Sequence, residues 1–319
     1  MNEYTQACRT LLYTCGDCKK DEKLLIVTDE SSIDLARIFW DEASEFHNKS
    51  MILMEDRRMH GDEPTALVAA AMMECDIMFR ITKFSLSHAK ARRKALANGC
   101  RDINMCDYSI ETLTKGGLFA DFIEAGKVLD GFWPKYCGER ITITTKKGTR
   151  LEGSIAGRAP KPQYGRSLVP GQVASPPDIE CAIAAVEGEL NGVLIIDGSI
   201  PMPELGVLKE DIKLTIENSK IVKIEGGEEA RTLERILKEF NNEKVYMVGE
   251  LAVTFNPLCG LTGRMLEDEG CYRAAHVGIG SSTGFGGTTD CSVHIDMVFM
   301  EPTVVIDGRK LVEDGNILG

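Results

Sequence analysis

Two histidines near the end of the chain stand in settings that suit a divalent ion. His294-Ile295-Asp296 puts an imidazole and a carboxylate two residues apart, and on a strand that spacing projects both from one face. His276 lies upstream in Ala275-His276-Val277-Gly278-Ile279-Gly280. Imidazole nitrogen and carboxylate oxygen together suit divalent first-row ions. Three acids, Glu180, Glu187 and Glu250, are bracketed by apolar residues, as in Ile179-Glu180-Cys181-Ala182-Ile183 and Met247-Val248-Gly249-Glu250-Leu251. A carboxylate inside an apolar strand is costly unless it is paired or metal-bound. Taken singly, each acid reads better as a solvent-facing edge-strand position. Glycines at 278, 280, 284, 286 and 287 surround both histidines, so backbone can turn sharply beside them.

The remaining histidines offer less. His47 and His60 read as surface residues. His88, within Ser85–Arg92, reads either as a residue facing substrate or as an ordinary residue at a helix N-terminus. Cys15-Gly16-Asp17-Cys18 has redox or zinc spacing, but it precedes the first expected strand and has no second pair at zinc-ribbon spacing. It reads as a loop with incidental thiols.

These residues need a scaffold, and the sequence outlines one in two parts. Apolar runs at Lys23–Thr28, Ser50–Met54, Asp76–Thr82 and Arg101–Met105 alternate with amphipathic or alanine-rich segments at Ile33–Phe46, Pro64–Cys75, Ser85–Asn98 and Ser109–Lys127. That alternation predicts a doubly wound α/β domain with a parallel sheet over residues 1–137. No Gly-x-Gly-x-x-Gly follows the first run, so a dinucleotide fingerprint is absent. From Arg140 onward the text is β-like, with strands at Ile141–Thr145 and Val193–Ile196, a hairpin over Ile212–Ile224 and a strand at Val304–Asp307. One helix, Glu228–Phe240, interrupts it. Residues 138–319 are therefore expected to form a β-rich, mixed domain carrying the metal site.

Length and charge bound the function. A chain of 319 residues buries a core without disulfides or structural metal. With 37 Lys and Arg against 49 Asp and Glu, the net charge of -12 disfavours nucleic acid and anionic membranes as partners. The basic cluster Lys90, Arg92, Arg93, Lys94 fits a solvated helix face. Eleven scattered cysteines do not form a secreted disulfide framework, and no run reaches the roughly 20 apolar residues a membrane span needs. A reducing cytoplasm is the simplest expected compartment, and a small molecule the expected substrate.

Longer motifs add a resemblance. Glu250-Leu-Ala-Val-Thr-Phe-Asn256-Pro257, Leu266-Glu-Asp-Glu269 leading to His276-Val-Gly-Ile-Gly280, His294-Ile-Asp296 and Pro302-Thr-Val-Val-Ile-Asp307-Gly308 resemble the aminopeptidase T type metallopeptidase superfamily. They are most similar to its shorter branch, which includes 2,5-dihydroxypyridine 5,6-dioxygenase, an iron(II) ring-cleaving enzyme. Gly61-Asp-Glu-Pro64, Gly157-Arg158, Ser175-Pro-Pro-Asp-Ile-Glu180 and Glu187-Gly188 extend the likeness over nearly the whole chain. The resemblance implies a ligand series Glu180, Glu250, His276, His294 and Asp296, and a homodimer. The peptidases carry a tyrosine shortly after the first histidine, and Ser281-Ser282-Thr283-Gly284 holds none. The dioxygenase has a histidine where this chain has Glu250.

The leading expectation is a metal-dependent hydrolase acting on a small amide or peptide through a metal-activated water. Glu250, His276, His294 and Asp296 would hold zinc, manganese or cobalt, with Glu180 as general base and His88 facing substrate. The alternative is a mononuclear non-haem iron(II) dioxygenase opening a hydroxylated pyridine or related aromatic ring.

Overall fold

In a computed structural model, which describes residues 3–318, the apolar runs of the first hundred residues become parallel strands. Leu24–Asp29 (β1), Lys49–Met54 (β2), Ile77–Ile81 (β3) and Arg101–Asn104 (β4) lie in the order β2-β1-β3-β4, and Val173–Ala174 adds a fifth strand beyond β4. All four pairings are parallel. Every residue of β1 and β3 is buried, as a parallel strand covered on both faces requires. Helices Ile33–Glu42, Ala66–Glu74 and Lys90–Ala97 make the crossovers. This is the expected α/β architecture.

Three local expectations change. Helix Ala66–Glu74 is capped by the Thr65 hydroxyl, which accepts from the Val68 N–H, so Pro64 precedes the cap instead of entering the first turn. The helix expected from Ser85 begins only at Lys90, because Ser85 Oγ accepts from Ser87 N at 3.1 Å and donates to Ser87 Oγ at 2.8 Å. Such local bonds compete with a helix for the backbone. The stretch from Ser109 breaks into short 3-10 turns at Ile110–Leu113 and Gly117–Phe119 before the helix Phe122–Phe132. Cys15, moreover, ends a helical segment, Thr10–Cys15, and both it and Cys18 are buried. Burial pushes the Cys18 thiol up to about 12, which suits packing and not thiolate chemistry.

Contacts divide the chain into two units, Met1–Phe122 with Tyr164–Asp178, and Ile123–Gln163 with Ile179–Gly319. The second unit is antiparallel. One sheet of eight strands runs in the order Lys220–Glu225, Ile212–Glu217, Asn191–Ile196, Arg150–Ser154, Arg140–Thr144, Thr303–Ile306, Arg309–Glu313 and Asn316–Ile317. Its expected hairpin turns through Asn218 and Ser219, both at positive φ, the geometry that matches strand twist. Helix Glu228–Glu239 buries Ala230, Leu233, Ile236 and Leu237 along one stripe. A second sheet of seven strands runs Gly206–Val207, Ser199–Ile200, His294–Met300, Ala274–Gly280, Val248–Thr254, Glu180–Ala184 and Lys161–Gln163. Among the described residues no helix is long and apolar enough to cross a membrane.

The first unit holds a buried charge cluster. Asp102 on β4 accepts from Arg80 Nε at 2.7 Å and from Arg92 Nε at 2.6 Å, and neither Asp102 nor Arg80 has any exposed surface. Burial alone would raise the Asp102 carboxyl, but the two guanidiniums outweigh it and hold the group below its usual range. A carboxyl lowered on folding stabilises the native state above its unfolded pKa, and that contribution is lost as pH falls through the folded value. Asp102→Ala leaves two cations without their counter-charge and is expected to cost about 3–5 kcal/mol. Urea unfolding at neutral pH measures this, and a variant as stable as its parent would contradict it.

Candidate metal centre

Four neighbouring strands of the seven-stranded sheet build the site on one face. Register sets Glu180 opposite Thr254, Ala184 opposite Glu250, Glu250 opposite Gly278, and Gly278 opposite Asp296. His276 faces Ala252 on one side and Val298 on the other, and His294 faces Gly280. With a side-chain period of two, Glu180, Glu250, His276, His294 and Asp296 all project from the same face. The residues between them there are small: Ala182, Ala184, Ala252 and Gly278. The strands Val248–Thr254 and Ala274–Gly280 are buried throughout, so Glu180 and Glu250 are interior and not at a solvent-facing edge.

The donor atoms converge. His276 Nε2 lies 3.0 Å from Glu180 Oε2, 3.7 Å from Glu250 Oε1 and 4.0 Å from Asp296 Oδ1. His294 Nε2 lies 2.8 Å from Glu250 Oε2 and 3.1 Å from Asp296 Oδ1. Two overlapping groups result, Glu180–Glu250–His276 and Glu250–His294–Asp296, each with its donor atoms within 4.8 Å of one another. Glu250 belongs to both. His294 is the most open of the five, with 15% of its side chain exposed. Its Nδ1 donates to the Ser281 carbonyl at 2.8 Å, which leaves Nε2 to face the carboxylates. A hydrogen bond at one ring nitrogen is the usual way a ligating imidazole is oriented.

The cluster carries more negative charge than its own groups can balance. Three carboxylates stand against two imidazoles, and all but His294 are buried. Burial raises the Glu180 carboxyl, while Asp296, which burial would also raise, is held well below its usual range by His294 and then His276. Burial would lower both imidazoles, but contact with Glu180 and Glu250 lifts His276, and Asp296 and Glu250 lift His294, well above the ordinary value. Even so, neither oxygen of Glu250 accepts a well-directed hydrogen bond, and both are buried. Leaving such a group unsatisfied is expensive. A divalent cation satisfies both oxygens at once, and the nitrogen and oxygen donor set fits one. Gly278 provides the clearance: a Cβ there would fall 2.6 Å from both Glu250 Oε2 and His294 Cε1.

All five residues read from the sequence as ligands meet here. His88 lies in the other unit, exposed, just before helix Lys90–Ala97, where its carbonyl accepts from Arg93 Nη1. It belongs to neither donor group. Sequence reasoning missed Gln163, whose Nε2 donates to Glu180 Oε1 from the outer strand Lys161–Gln163. Lys-Pro-Gln has no apolar alternation to mark it as a strand. It also missed Phe285, whose ring stacks on His294 with centroids 5.3 Å apart.

Fold and site allow comparison with known proteins. A family model described as NicX, 2,5-dihydroxypyridine 5,6-dioxygenase, matches residues 4–319. The chain belongs to this family. The 2,5-dihydroxypyridine 5,6-dioxygenase of Pseudomonas putida KT2440 is 26% identical over 188 residues, covering 56% of this chain and 54% of that relative. The matched stretch thus spans about half the length of that curated relative. Among solved structures, a 2,5-dihydroxypyridine dioxygenase from Pseudomonas putida KT2440 superposes with a TM-score of 0.83 at 18% identity, over 99% of this chain and 97% of that one. Wild-type AmpT from Thermus thermophilus superposes with a TM-score of 0.72 at 14% identity, over 99% of each chain. At these identities both superpositions establish the fold alone.

Membership corrects the leading expectation of a hydrolase. The family that spans the chain is one of ring-cleaving dioxygenases, and its curated relative carries the same description. The error has a physical origin, because imidazole and carboxylate ligands serve a water-activating ion and an oxygen-activating one alike. The ordered ligand series therefore could not separate the two chemistries.

Two outcomes test the centre. Ion uptake near neutral pH must displace the protons that the carboxylates hold on His276 and His294, so affinity for Co(II) is expected to rise with pH and binding to release protons. Calorimetry in buffers of different ionisation enthalpy detects that release, and pH-independent binding without it would count against the assignment. Gly278→Ala is expected to weaken Co(II) binding by at least about 10–100-fold, the scale of a disturbed ligand shell, as read by competition with a chelator.

Proposed function

We propose that the protein is a ring-cleaving dioxygenase acting on a hydroxylated pyridine or a closely related aromatic ring, with iron(II) held by His294, Asp296, His276 and Glu250. The observation that carries this reading is the convergence of two imidazoles and buried carboxylates on one sheet face in a chain matched by the dioxygenase family over residues 4–319. Iron(II) would supply the one-electron chemistry by which dioxygen reacts with an aromatic ring. The protein's own groups do the rest.

Glu180 is the residue assigned to proton transfer. Burial raises its carboxyl, the direction that brings a carboxylate towards the working range of a general base. Gln163 pins one of its oxygens, and the other faces His276 Nε2 at 3.0 Å. From that position Glu180 takes the proton of a ring hydroxyl as substrate binds, and holds it until the opened product leaves. The surrounding strands exclude bulk water, since Glu180, Glu250 and His276 are each no more than 3% exposed. In that setting a proton held by Glu180 is not lost to solvent.

The test is anaerobic loading with Fe(II) followed by oxygen uptake with 2,5-dihydroxypyridine. One dioxygen is expected per ring opened, with both oxygen atoms in the product by isotope labelling. His294→Ala is expected to abolish uptake, and Glu180→Gln to slow it by about 10²–10⁴-fold, the usual contribution of general acid–base catalysis. No oxygen uptake by the Fe(II)-loaded protein with 2,5-dihydroxypyridine or other dihydroxylated pyridines would overturn the reading.

A further inference from the structure

The glycine-rich loop between the His276 and His294 strands closes on itself. Ser281 N donates to the Val293 carbonyl at 2.7 Å, Ser282 N to the Thr289 carbonyl at 3.0 Å, and both Phe285 N and Gly287 N to the Ser282 carbonyl at 3.0 Å. Thr289 N donates in turn to Ser282 Oγ at 3.2 Å. A Cβ at Gly287 would lie 2.1 Å from Ser282 Oγ and 3.2 Å from Glu187 Oε1, so the loop tolerates no side chain at that point. Two of its groups reach His294. The Ser281 carbonyl takes the Nδ1 proton at 2.8 Å, and the Phe285 ring lies against the imidazole at an interplanar angle of 27°.

Two side chains outside the loop grip its far end. Glu187 Oε1 accepts from Thr288 N at 2.6 Å. Arg158 donates through Nη1 to the Gly286 carbonyl and through Nη2 to Glu187 Oε2. Both side chains are largely withdrawn from solvent, at 15% and 26% exposed, so their pairing is screened less than a surface ion pair. Neither belongs to the donor groups of the metal centre. Glu187 lies three residues beyond the strand that carries Glu180, which ties that strand to the loop that contacts His294.

We propose that the Arg158–Glu187 pair, acting through this loop, positions His294 for metal binding, with Phe285 as the side chain that sets the plane of the ring. An imidazole on a strand is free to rotate about χ2, and each turn of the ring exchanges the nitrogen it presents. The Ser281 carbonyl selects Nε2, and the Phe285 face holds the ring to one plane. Both depend on a loop that Glu187 and Arg158 hold in place. Phe285, Glu187 and Arg158 are positioning residues, since each acts through His294. The inference rests on the reading of the cluster as a divalent-ion centre, and not on which reaction the ion serves.

Co(II) titration of the full-length protein tests it, with affinity taken from chelator competition and ligand geometry from the visible d–d spectrum. Glu187→Ala is expected to bind Co(II) about tenfold more weakly, the lower end of the effect of a lost supporting partner, and to shift the d–d bands. Glu187→Gln, which keeps an acceptor for Thr288 N, is expected to recover most of the affinity. Phe285→Ala changes the spectrum in the same sense without touching the ion pair, and supplies the answer if Glu187→Ala does not fold. Wild-type affinity and an unchanged spectrum in folded Glu187→Ala or Phe285→Ala would overturn the positioning role alone. Failure of the wild-type protein to bind Co(II) would overturn the metal centre, and this proposal with it.

Discussion

Glu250 sits at the middle of a sheet, 1% exposed, with two carboxylate oxygens that accept no well-directed hydrogen bond and face only imidazoles. That buried, poorly satisfied carboxylate is the constraint around which the site is built. The flanking strands carry alanine and glycine opposite and beside Glu250, because larger side chains would fill the space above it. The two histidines stand within reach of both its oxygens. Asp296 and Glu180 close the ring from either side. Each choice follows from having a carboxylate where the sheet would otherwise take another valine or isoleucine.

The two units treat buried charge in opposite ways. Asp102 is as deeply buried as Glu250, yet Arg80 and Arg92 answer it with fixed guanidiniums at hydrogen-bond distance. There both Asp102 oxygens are met by permanent cations, although Arg80 Nη1 is left without a partner. The groups that face Glu250 are instead the imidazoles of His276 and His294, which unlike a guanidinium can exchange a proton for an ion. Charge that is balanced by an exchangeable partner can be rebalanced by an ion. The contrast separates a structural charge cluster from a functional one better than burial does.

Much of this was legible in the chain. The period-two spacing of His294 and Asp296 specified a shared face, and the apolar runs of the first unit specified a parallel sheet. The order of the five candidate donors came from the resemblance of the longer motifs, since each acid taken alone read better as a solvent-facing edge position. What escaped was whatever depended on contacts between distant segments. Gln163 sits in a three-residue strand with no pattern of its own. The helix at Ser85 was overestimated because the serine side chains compete for the backbone there. Hydrolase and oxygenase were indistinguishable because donor types report the ion's ligands and not its reaction, and it is family membership that speaks against the hydrolase.

No single strand of this chain holds more than two of the five converging side chains, since only His294 and Asp296 share one. Glu180, Glu250 and His276 each arrive on a different strand, and antiparallel pairing must bring all four into register before the donors converge. An emerging or partly folded polypeptide therefore cannot form this centre, whatever its loose thiols and imidazoles bind. Cavity size and donor geometry apply together only once the sheet is whole. The dispersal of the donors along the sequence thus makes assembly of the candidate centre and completion of the sheet a single event.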